Sequence, residues 1–214
     1  MYKDYIDEKL ALSQKLINEN KIVEGIELLE ELLEESNELR VILAAMSGET
    51  FMAWVCLDMG GYDSAIRYAD KAINLAVRLS QVDEVMEKYN DTIISDYRSA
   101  YRYKGQAIFE KDMSNCECLE ALEEAAQYNE NEALYYLGLY YVVNNCSPSD
   151  DYKKFCSYSA KQAEYHEKYV ENLEGNEDPE RIRRICNSLA ALYENGIGVP
   201  ENKLKAQYYK DMIS

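Results

Sequence analysis

Six cysteines and one histidine are the residues of this chain whose chemistry could build a metal centre or a catalytic site. The pair Cys116 and Cys118, followed by Cys146 and Cys156, comes nearest to a set of zinc ligands. Zinc motifs pair their cysteines at a wider spacing and need a second well-placed pair, which this pattern does not supply. We therefore predict no metal site and expect reduced thiols that are mostly buried. The six cysteines are Cys56, Cys116, Cys118, Cys146, Cys156 and Cys186.

Catalysis needs a nucleophile with its base, a pair of carboxylates with shifted pKa values, or a metal. The histidine, His166, lies in the polar stretch AEYHEKYVENL, which indicates a solvated or a packing role. Gly196-Ile197-Gly198 has too few glycines for a phosphate loop and follows a helix instead of a strand. We predict that the protein is not an enzyme and uses no cofactor.

The elements that must position any site are predicted to be helices throughout. Apolar residues recur at spacings of three and four along the chain, and the alternation typical of a half-buried strand is rare. The 214 residues are 47% apolar and 29% charged, which excludes general disorder and suffices for a core. Only three prolines and nine glycines occur, so long linkers are not expected. The fold class is all-α.

The net charge of −17 argues against unaided binding to nucleic acid or to an anionic membrane, because both require a basic surface. Part of this charge lies in Glu24–Glu38, where seven glutamates interleave with leucines. The segment is either an amphipathic helix with a solvated acidic face or a docking surface for a basic partner. Both interpretations stay open at this point.

We expect a cytoplasmic location, because the sequence shows neither a signal-peptide pattern nor a membrane-span pattern. The residues from Met1 to Tyr5 have no apolar run after their charges, so no signal peptide is predicted. No stretch approaches the roughly 18 to 20 uninterrupted apolar residues of a membrane span.

Helical hairpins can be followed along the N-terminal part. Leu10–Ile17 and Val23–Leu33 are predicted as the first two helices, joined by a polar turn. A third helix, Phe51–Leu57, ends at Gly60-Gly61, and Asp63 or Ser64 is expected to cap the next helix. That helix carries small inward-facing residues at helical spacing, namely Ala65, Ala69, Ala72 and Ala76.

The region from Val82 to Lys111 has helical periodicity with no proline and one glycine. It predicts either one unusually long helix or a break near Asn90-Asp91, where Asp91 could cap a new helix. Leu119–Gln127 is the predicted return helix.

The C-terminal third contains an internal repeat. Leu137-Gly138-x-x-Tyr141 aligns with Leu189-Ala190-x-x-Tyr193 at an offset of 52 residues, and Pro148 aligns with Pro200. After one inserted residue the alignment continues, and it pairs Asp151 with Asn202, Lys154 with Lys205 and Tyr158 with Tyr209. In the first copy Asn144 and Cys146 replace the turn glycines Gly196 and Gly198, so we expect a remodelled turn there.

These patterns resemble two related families of helical repeat. The second hairpin resembles a tetratricopeptide repeat, with Gly60, Tyr62, Ala65 and Ala72 at that family's spacing and Ala69 where a large aromatic residue is usual. The C-terminal copies are similar to Sel-one-like repeats. The resemblance implies a single right-handed α-solenoid domain over residues 1–214, built from about five helical hairpins. Hairpins in 1–128 would be tetratricopeptide-like and those in 129–214 Sel-one-like.

The resemblance also implies where a partner would bind, because the first helix of each hairpin lines a concave groove in such proteins. The implied groove residues are Gln14, Phe51, Trp54, Tyr103, Lys104, Tyr135, Tyr136, Leu139, Arg184 and Asn187. Aromatic residues supply a large contact area with a polar tip, which suits a binding face. The alternative is that these rings only fill gaps between helices. The family's carboxylate clamp is not predicted, because Gln14, Trp54 and Ala107 stand where its asparagines would be.

We therefore expect a non-enzymatic adaptor that binds a peptide or protein segment in an aromatic groove. The alternative function is an acidic inhibitor or immunity-type protein that blocks a basic toxin or nucleic-acid-binding protein. The C-terminal hairpin is also predicted to associate with itself or a partner, because Leu204, Tyr208 and Met212 form an apolar stripe near the end of the sequence.

Overall fold

The computed structural model describes residues 2–175 and 177–214, with the side chain of Tyr2 excepted. All the regular secondary structure in these residues is helical, which confirms the all-α class. The ten helices are α1 (Tyr2–Asn18), α2 (Ile22–Glu35), α3 (Leu39–Asp58), α4 (Tyr62–Ser80), α5 (Asp83–Lys111), α6 (Glu117–Gln127), α7 (Asn131–Val143), α8 (Tyr152–Glu171), α9 (Pro179–Asn195) and α10 (Lys203–Asp211).

The helices form two compact units, and neighbouring helices along the chain pack together within each unit. Unit 1 extends to Lys111 and holds α1–α5, and unit 2 starts at Asp112 and holds α6–α10. The subdivision expected after residue 128 falls between α6 and α7, which pack on each other inside unit 2. A single right-handed solenoid domain stays a prediction.

Small residues set the packing of α3, α4 and α5 in unit 1. The predicted alanines Ala65, Ala69, Ala72 and Ala76 of α4 are each at most 1% exposed, and Ala53 of α3 is fully buried. Such short side chains let helix backbones approach closely, and α4 packs against both α3 and α5.

The turn between α3 and α4 differs from expectation in its cap. Gly60 takes φ +73°, the left-handed conformation expected after a helix. However, the N-cap of α4 is Gly61, two residues before Asp63 and three before Ser64, and no side chain caps the helix. Asp63 therefore lies inside the first turn, where its carboxylate pairs with Lys111 at 2.5 Å.

Helix α5 settles the alternative for 82–111 in favour of one long helix of 29 residues. The break near Asn90-Asp91 does not occur, and Asp91 is an exposed residue within the helix. Two features support so long a helix. It packs against α3 and α4, and no proline interrupts its backbone hydrogen bonds.

Helix α3 is the one helix in the described part of the chain that is long and apolar enough to span a membrane by composition. Its most apolar window has a mean hydropathy of 1.4, and 56% of that window is buried inside unit 1. This is the pattern of a core helix, since Val41 and Met46 are fully buried.

The internal repeat of unit 2 is visible in two equivalent helix starts. Asp151 caps α8 by accepting from the backbone N–H of Lys154 at 2.9 Å, and Asn202 caps α10 by accepting from Lys205 at 3.0 Å. These caps stand at the positions that the sequence alignment pairs. The structure therefore confirms the alignment at the second helix of each hairpin.

The same hairpins also share a pair of tyrosine rings. Tyr141 contacts Tyr158 at a centroid distance of 5.2 Å, and the aligned pair Tyr193 and Tyr209 lies at 6.2 Å. In each hairpin, the two helices are therefore in contact through tyrosines at aligned positions.

The turns of the two hairpins differ, as expected from their glycines. Gly196 and Gly198 both have positive φ, and a Cβ on Gly198 would lie 2.5 Å from the backbone oxygen of Cys156 in α8. Asn144 has φ −93° instead, and the neighbouring Asn145 uses its side chain to bind the turn. The first turn is remodelled around asparagine side chains.

A repeated tyrosine–glutamate bond links the second helices of successive hairpins in unit 2. The Tyr165 hydroxyl of α8 donates to Glu123 of α6 at 3.0 Å, and the Tyr209 hydroxyl of α10 donates to Glu167 of α8 at 2.9 Å. Helices α6, α8 and α10 thus contact one another in series, which is compatible with a helical repeat.

Candidate functional site

An open groove of about 560 Å³ in unit 1 is a candidate binding site. We call its α3 side the floor and its α1 and α5 sides the walls, and Leu29 of α2 also lines it. Leu10 and Ile17 line one wall, Tyr89 lines the other, and Leu43 and Phe51 stand on α3. Leu10 and Ile17 are seven residues apart, and Leu43 and Phe51 are eight apart, so each pair lies on one face of its helix.

The side chains on the floor of this groove are small. Ala44, Ser47 and Gly48 stand between Leu43 and Phe51, so the backbone of α3 lies close to the groove. Gly48 cannot be larger, because a Cβ there would lie 2.6 Å from Ile26 Cδ1 of α2. Packing of α2 against α3 thus requires glycine at position 48, which is also a position that lines the groove.

Phe51 lines the groove, and the ring of Trp54 lies beside that of Phe51. Phe51 and Trp54 lie with their ring centroids 5.5 Å apart, and the two side chains are 36% and 44% exposed. Gln14 lines the groove from α1, and its side-chain amide donates to Asn18 at 3.1 Å. Among the predicted binding residues, Gln14, Phe51 and Trp54 are therefore brought together.

One polar pair lies between the floor and the α5 wall. The hydroxyl of Ser47 donates to Asp96 at 2.5 Å. Burial raises the pKa of Asp96, and the hydrogen bond from Ser47 opposes part of that rise. This pair was not predicted from the sequence, because Ser47 and Asp96 are far apart in the chain.

Tyr103 and Lys104, the predicted groove residues of α5, lie away from this groove. Tyr103 packs against the buried alanines Ala53 and Ala69, with the Arg102 guanidinium 4.0 Å from its ring centroid. The ammonium of Lys104 pairs with Asp70 of α4 at 2.7 Å. Both residues hold α5 against its neighbours.

A second and smaller pocket of about 170 Å³ lies in unit 2 between α7, α8 and α9. Three predicted binding residues line it, namely Tyr135, Leu139 and Arg184. The pocket also takes in residues that the sequence did not identify, namely Val142, His166, Arg181, Ile185 and Ser188.

His166 is the most unusual side chain of this pocket. It is 4% exposed, and neither ring nitrogen has a hydrogen-bond partner in the part of the chain that the structure describes. Burial lowers the pKa of His166 to about 4, so the imidazole is neutral near pH 7. Of the two expected roles the solvated one is wrong: the ring lies against Gly138 of α7, where a Cβ would approach within 2.1 Å.

The other two predicted residues of unit 2 do not line this pocket. Tyr136 is buried in α7, where its ring meets that of Tyr135 at 5.2 Å. Asn187 is exposed on α9. The binding roles assigned to all ten residues stay predictions.

The acidic segment Glu24–Glu38 forms most of α2, and some of its carboxylates already have partners. Glu30 pairs with Lys71 of α4, Glu31 lies 4.0 Å from Lys9, and Glu38 pairs with Arg40. Glu24, Glu27 and Glu34 are exposed and make no such contact within the described residues. The acidic face that remains for a basic partner is therefore narrower than the sequence suggests.

Beneath this face α3 buries an acid. Glu49 is 1% exposed, and its carboxyl lies 3.6 Å from the Lys71 ammonium. Burial raises the pKa of Glu49 to about 8, and the adjacent Glu30 adds to the rise while Lys71 opposes it. Near pH 7, Glu49 is therefore neutral and lies next to the Lys71–Glu30 ion pair.

The cysteines are all free thiols, but the expectation that most of them are buried is wrong, because two of the six are buried, three are partly buried and one is exposed. Cys118 and Cys186 are buried, and burial raises the pKa of Cys118 to about 12, whereas Cys116 is exposed. Within residues 2–175 and 177–214, no three side chains of the histidine, cysteine, aspartate and glutamate types are grouped as metal ligands.

Sequence reasoning missed the side chains that three-dimensional packing brings to a pocket. Gly138 was one available signal, because a small residue in a helix indicates that another helix lies close. Nothing in the sequence indicated that His166 would be the residue packed there.

Comparisons with protein-family models, with curated proteins and with solved structures find no match to the chain. The resemblance to tetratricopeptide and Sel-one-like repeats therefore rests on the residues and contacts described above.

Proposed function

We propose that the protein is a non-enzymatic interaction module whose unit 1 groove binds a protein or peptide segment. The observation that carries the proposal is an open groove with a floor of small residues that is lined by the exposed Phe51, with the exposed Trp54 ring beside it. Large aromatic side chains of this kind supply much of the binding energy at protein interfaces.

The groove favours an apolar segment with its anchors on one side. Its walls offer Leu10, Ile17 and Tyr89, and the floor at Ala44 and Ser47 leaves space for inserted side chains. A volume of about 560 Å³ lies within the range of specific binding pockets. An amphipathic helix with apolar residues one turn apart fits such a groove.

The charge of the chain adds a second preference to the partner. The net charge of −17 attracts basic segments over long range and repels acidic ones. We therefore propose a segment with apolar anchors and basic flanking residues.

The proposal includes membership of a helical repeat architecture related to tetratricopeptide and Sel-one-like proteins. Support comes from the matched caps Asp151 and Asn202 and from the matched tyrosine pairs. A cytoplasmic setting and a right-handed solenoid belong to the same proposal.

A selection from a phage-displayed library of short random peptides tests this function. The key variant is Ala44→Leu, which places a large side chain on the groove floor without removing a wall. Ala11→Leu is the matched control, because Ala11 is exposed on α1 and does not line the groove.

We expect peptides selected on the unmodified protein to bind Ala11→Leu equally and Ala44→Leu at least about tenfold more weakly. Binding should also change the emission of Trp54, which is the chain's one tryptophan. Equal affinity for both variants would place the site elsewhere.

The acidic inhibitor stays the alternative, with Glu24, Glu27 and Glu34 as the available part of the acidic face. Its complex with a basic protein would weaken steeply with added salt. Binding through the apolar groove would depend far less on salt.

A further inference from the structure

The peptide groove of unit 1 continues past the residues described above. A second open cavity of about 330 Å³ lies between the N-terminal parts of α3 and α5. Leu43 of α3 and Tyr89 of α5 line both cavities, so the two adjoin at this pair. The second cavity takes in Leu39 and Val85, each four residues before the shared residue and on the same helix face. The groove therefore extends along both helices towards their N-termini.

This extended groove has room for a helix of about three turns. Its lining residues on α3 reach from Leu39 to Phe51, which is a length of about 18 Å at the rise of an α-helix. Three turns of a bound helix are about 16 Å long. Apolar anchors one turn apart can therefore lie against the stretch from Leu43 to Phe51, and the next turn of the peptide then lies over the second cavity.

The two ends of the extended groove differ in charge. Among the described residues, no charged side chain lines the part that reaches Phe51. Four charged side chains line the second cavity, namely Glu38, Arg40, Glu84 and Lys88. Glu38 and Arg40 pair with each other at 2.6 Å. The other two charged groups therefore decide what this end of the groove attracts.

Glu84 is the carboxylate that remains available to a partner. It is exposed on the first turn of α5 and makes no hydrogen bond or ion pair within the described residues. The Lys88 ammonium lies 4.9 Å from the Tyr89 ring centroid, where the face of the ring attracts it. Asp83 and Glu87 are exposed acids beside Glu84, so the local potential is negative. This end of the groove therefore favours a cation.

We propose that the extended groove binds an amphipathic helix of about three turns that carries a lysine or arginine one turn beyond its apolar anchors, and that Glu84 pairs with this cation. The inference rests on the peptide binding proposed above, and it adds the length of the peptide and the end at which its basic residue lies. The anchors would supply most of the affinity, whereas the Glu84 contact would select the partner and set its direction in the groove.

A selection from a phage-displayed library of random 16-residue peptides, repeated on two variants, tests the position of the cation. Glu84→Lys reverses the charge that lines the second cavity. Glu87→Lys is the matched control, because Glu87 is also exposed near the start of α5, does not line the cavity, and gives the same change in net charge. We expect a basic residue beyond one end of the apolar repeat in peptides selected on the unmodified protein and on Glu87→Lys, and its loss in peptides selected on Glu84→Lys.

The affinity of one synthetic peptide from the first selection gives the size of the contact. Glu84→Lys should weaken binding about tenfold, and Glu87→Lys less than about twofold, since like charges repel only where they meet. Glu84→Gln should weaken binding about threefold, as expected for an exposed ion pair. Replacing the basic residue of the peptide by glutamate should restore its binding to Glu84→Lys.

Two results would overturn the inference. The first is an equal loss of affinity in Glu84→Lys and Glu87→Lys, which would reduce the preference to the general charge of the chain. The second is a set of selected peptides whose basic residues are scattered over the sequence. In either case a loss of binding in Ala44→Leu would leave the proposed groove intact. Unchanged binding in Ala44→Leu would instead exclude the groove and this inference together.

Discussion

Unit 1 and unit 2 both leave a cavity between helices, but the cavities differ in size and in polarity. The groove of unit 1 is open, and polar side chains that line it already have hydrogen-bond partners: Ser47 donates to Asp96, and Gln14 donates to Asn18. The pocket of unit 2 is about a third as large, and it is lined in part by His166, whose buried nitrogens have no hydrogen-bond partner among the described residues.

The difference bears on how each cavity could recognise a ligand. In the proposed peptide groove, recognition would depend on shape and apolar area, because the Ser47 hydroxyl is already hydrogen-bonded to Asp96. In the unit 2 pocket, the His166 nitrogens are buried against the surrounding helices and offer no hydrogen bond to a ligand. The two units also bury opposite titratable groups, an acid (Glu49) in unit 1 and a base (His166) in unit 2.

The largest expected effect comes from a glycine in each unit. Gly198→Ala should destabilise the protein by about 3 kcal/mol or more, because φ is +69° and the new Cβ would meet the backbone of α8 at 2.5 Å. Gly60→Ala in unit 1 is the matched control: φ is +73°, but no atom lies within 4 Å of the new Cβ. This substitution should lower the free energy of unfolding by about 1 kcal/mol. Urea denaturation measures both, and equal costs would show that close packing on α8 does not matter.

Glu49→Gln should stabilise the protein at alkaline pH. The folded pKa of Glu49 is raised to about 8 from an ordinary 4.5, so its contribution is complete below pH 4.5 and is lost as the pH rises through 8. The variant cannot ionise, and we expect it to gain about 4 kcal/mol relative to the unmodified protein between pH 5 and pH 9. Denaturation curves at the two pH values test this. A constant difference would mean that Glu49 is already ionised at pH 5.

His166→Gln should change the pH dependence in the opposite direction. The folded pKa of about 4 lies below the ordinary 6.5, so the stability contributed by a neutral His166 is present above pH 6.5 and is lost as the pH falls through 4. Relative to the unmodified protein, the variant should gain about 1 to 2 kcal/mol between pH 7 and pH 4.5. The same denaturation series measures it, and no relative gain would indicate that the imidazole is solvated.

The smallest effects concern helix caps. Asp151→Ala and Asn202→Ala should each destabilise the protein by about 1 kcal/mol, because each removes a side-chain acceptor from a helix start. Asp63→Ala in unit 1 should cost less, about 0.5 kcal/mol, since Asp63 caps nothing and forms only an exposed ion pair. Thermal unfolding of the three variants ranks them. Similar losses of stability in all three variants would show that the side-chain caps Asp151 and Asn202 matter no more than the exposed ion pair of Asp63.

The sequence allowed the helices and their repeat to be predicted where local chemistry decides the structure. Periodic apolar residues predicted helices, and the aligned Asp151 and Asn202 proved to be equivalent caps. The possible break at Asn90-Asp91 did not occur, because packing on α3 and α4 supports a helix that local propensity leaves uncertain.

The sites were predictable only in part. Helical spacing and the family resemblance placed Phe51 and Trp54 together, but they also placed Tyr103 on the binding face, whereas Tyr103 packs on alanines between helices. His166 and Asp96 depend on contacts between residues distant in sequence, which periodicity does not reveal.

Hydrogen–deuterium exchange with a peptide selected on the unmodified protein tests the central claim, peptide binding in the unit 1 groove, most directly. We predict slower exchange in α1, α3 and α5, whose side chains line that groove, and unchanged exchange in unit 2. Protection confined to α2 would favour the acidic face as the site, and protection confined to unit 2 would contradict the proposed groove outright.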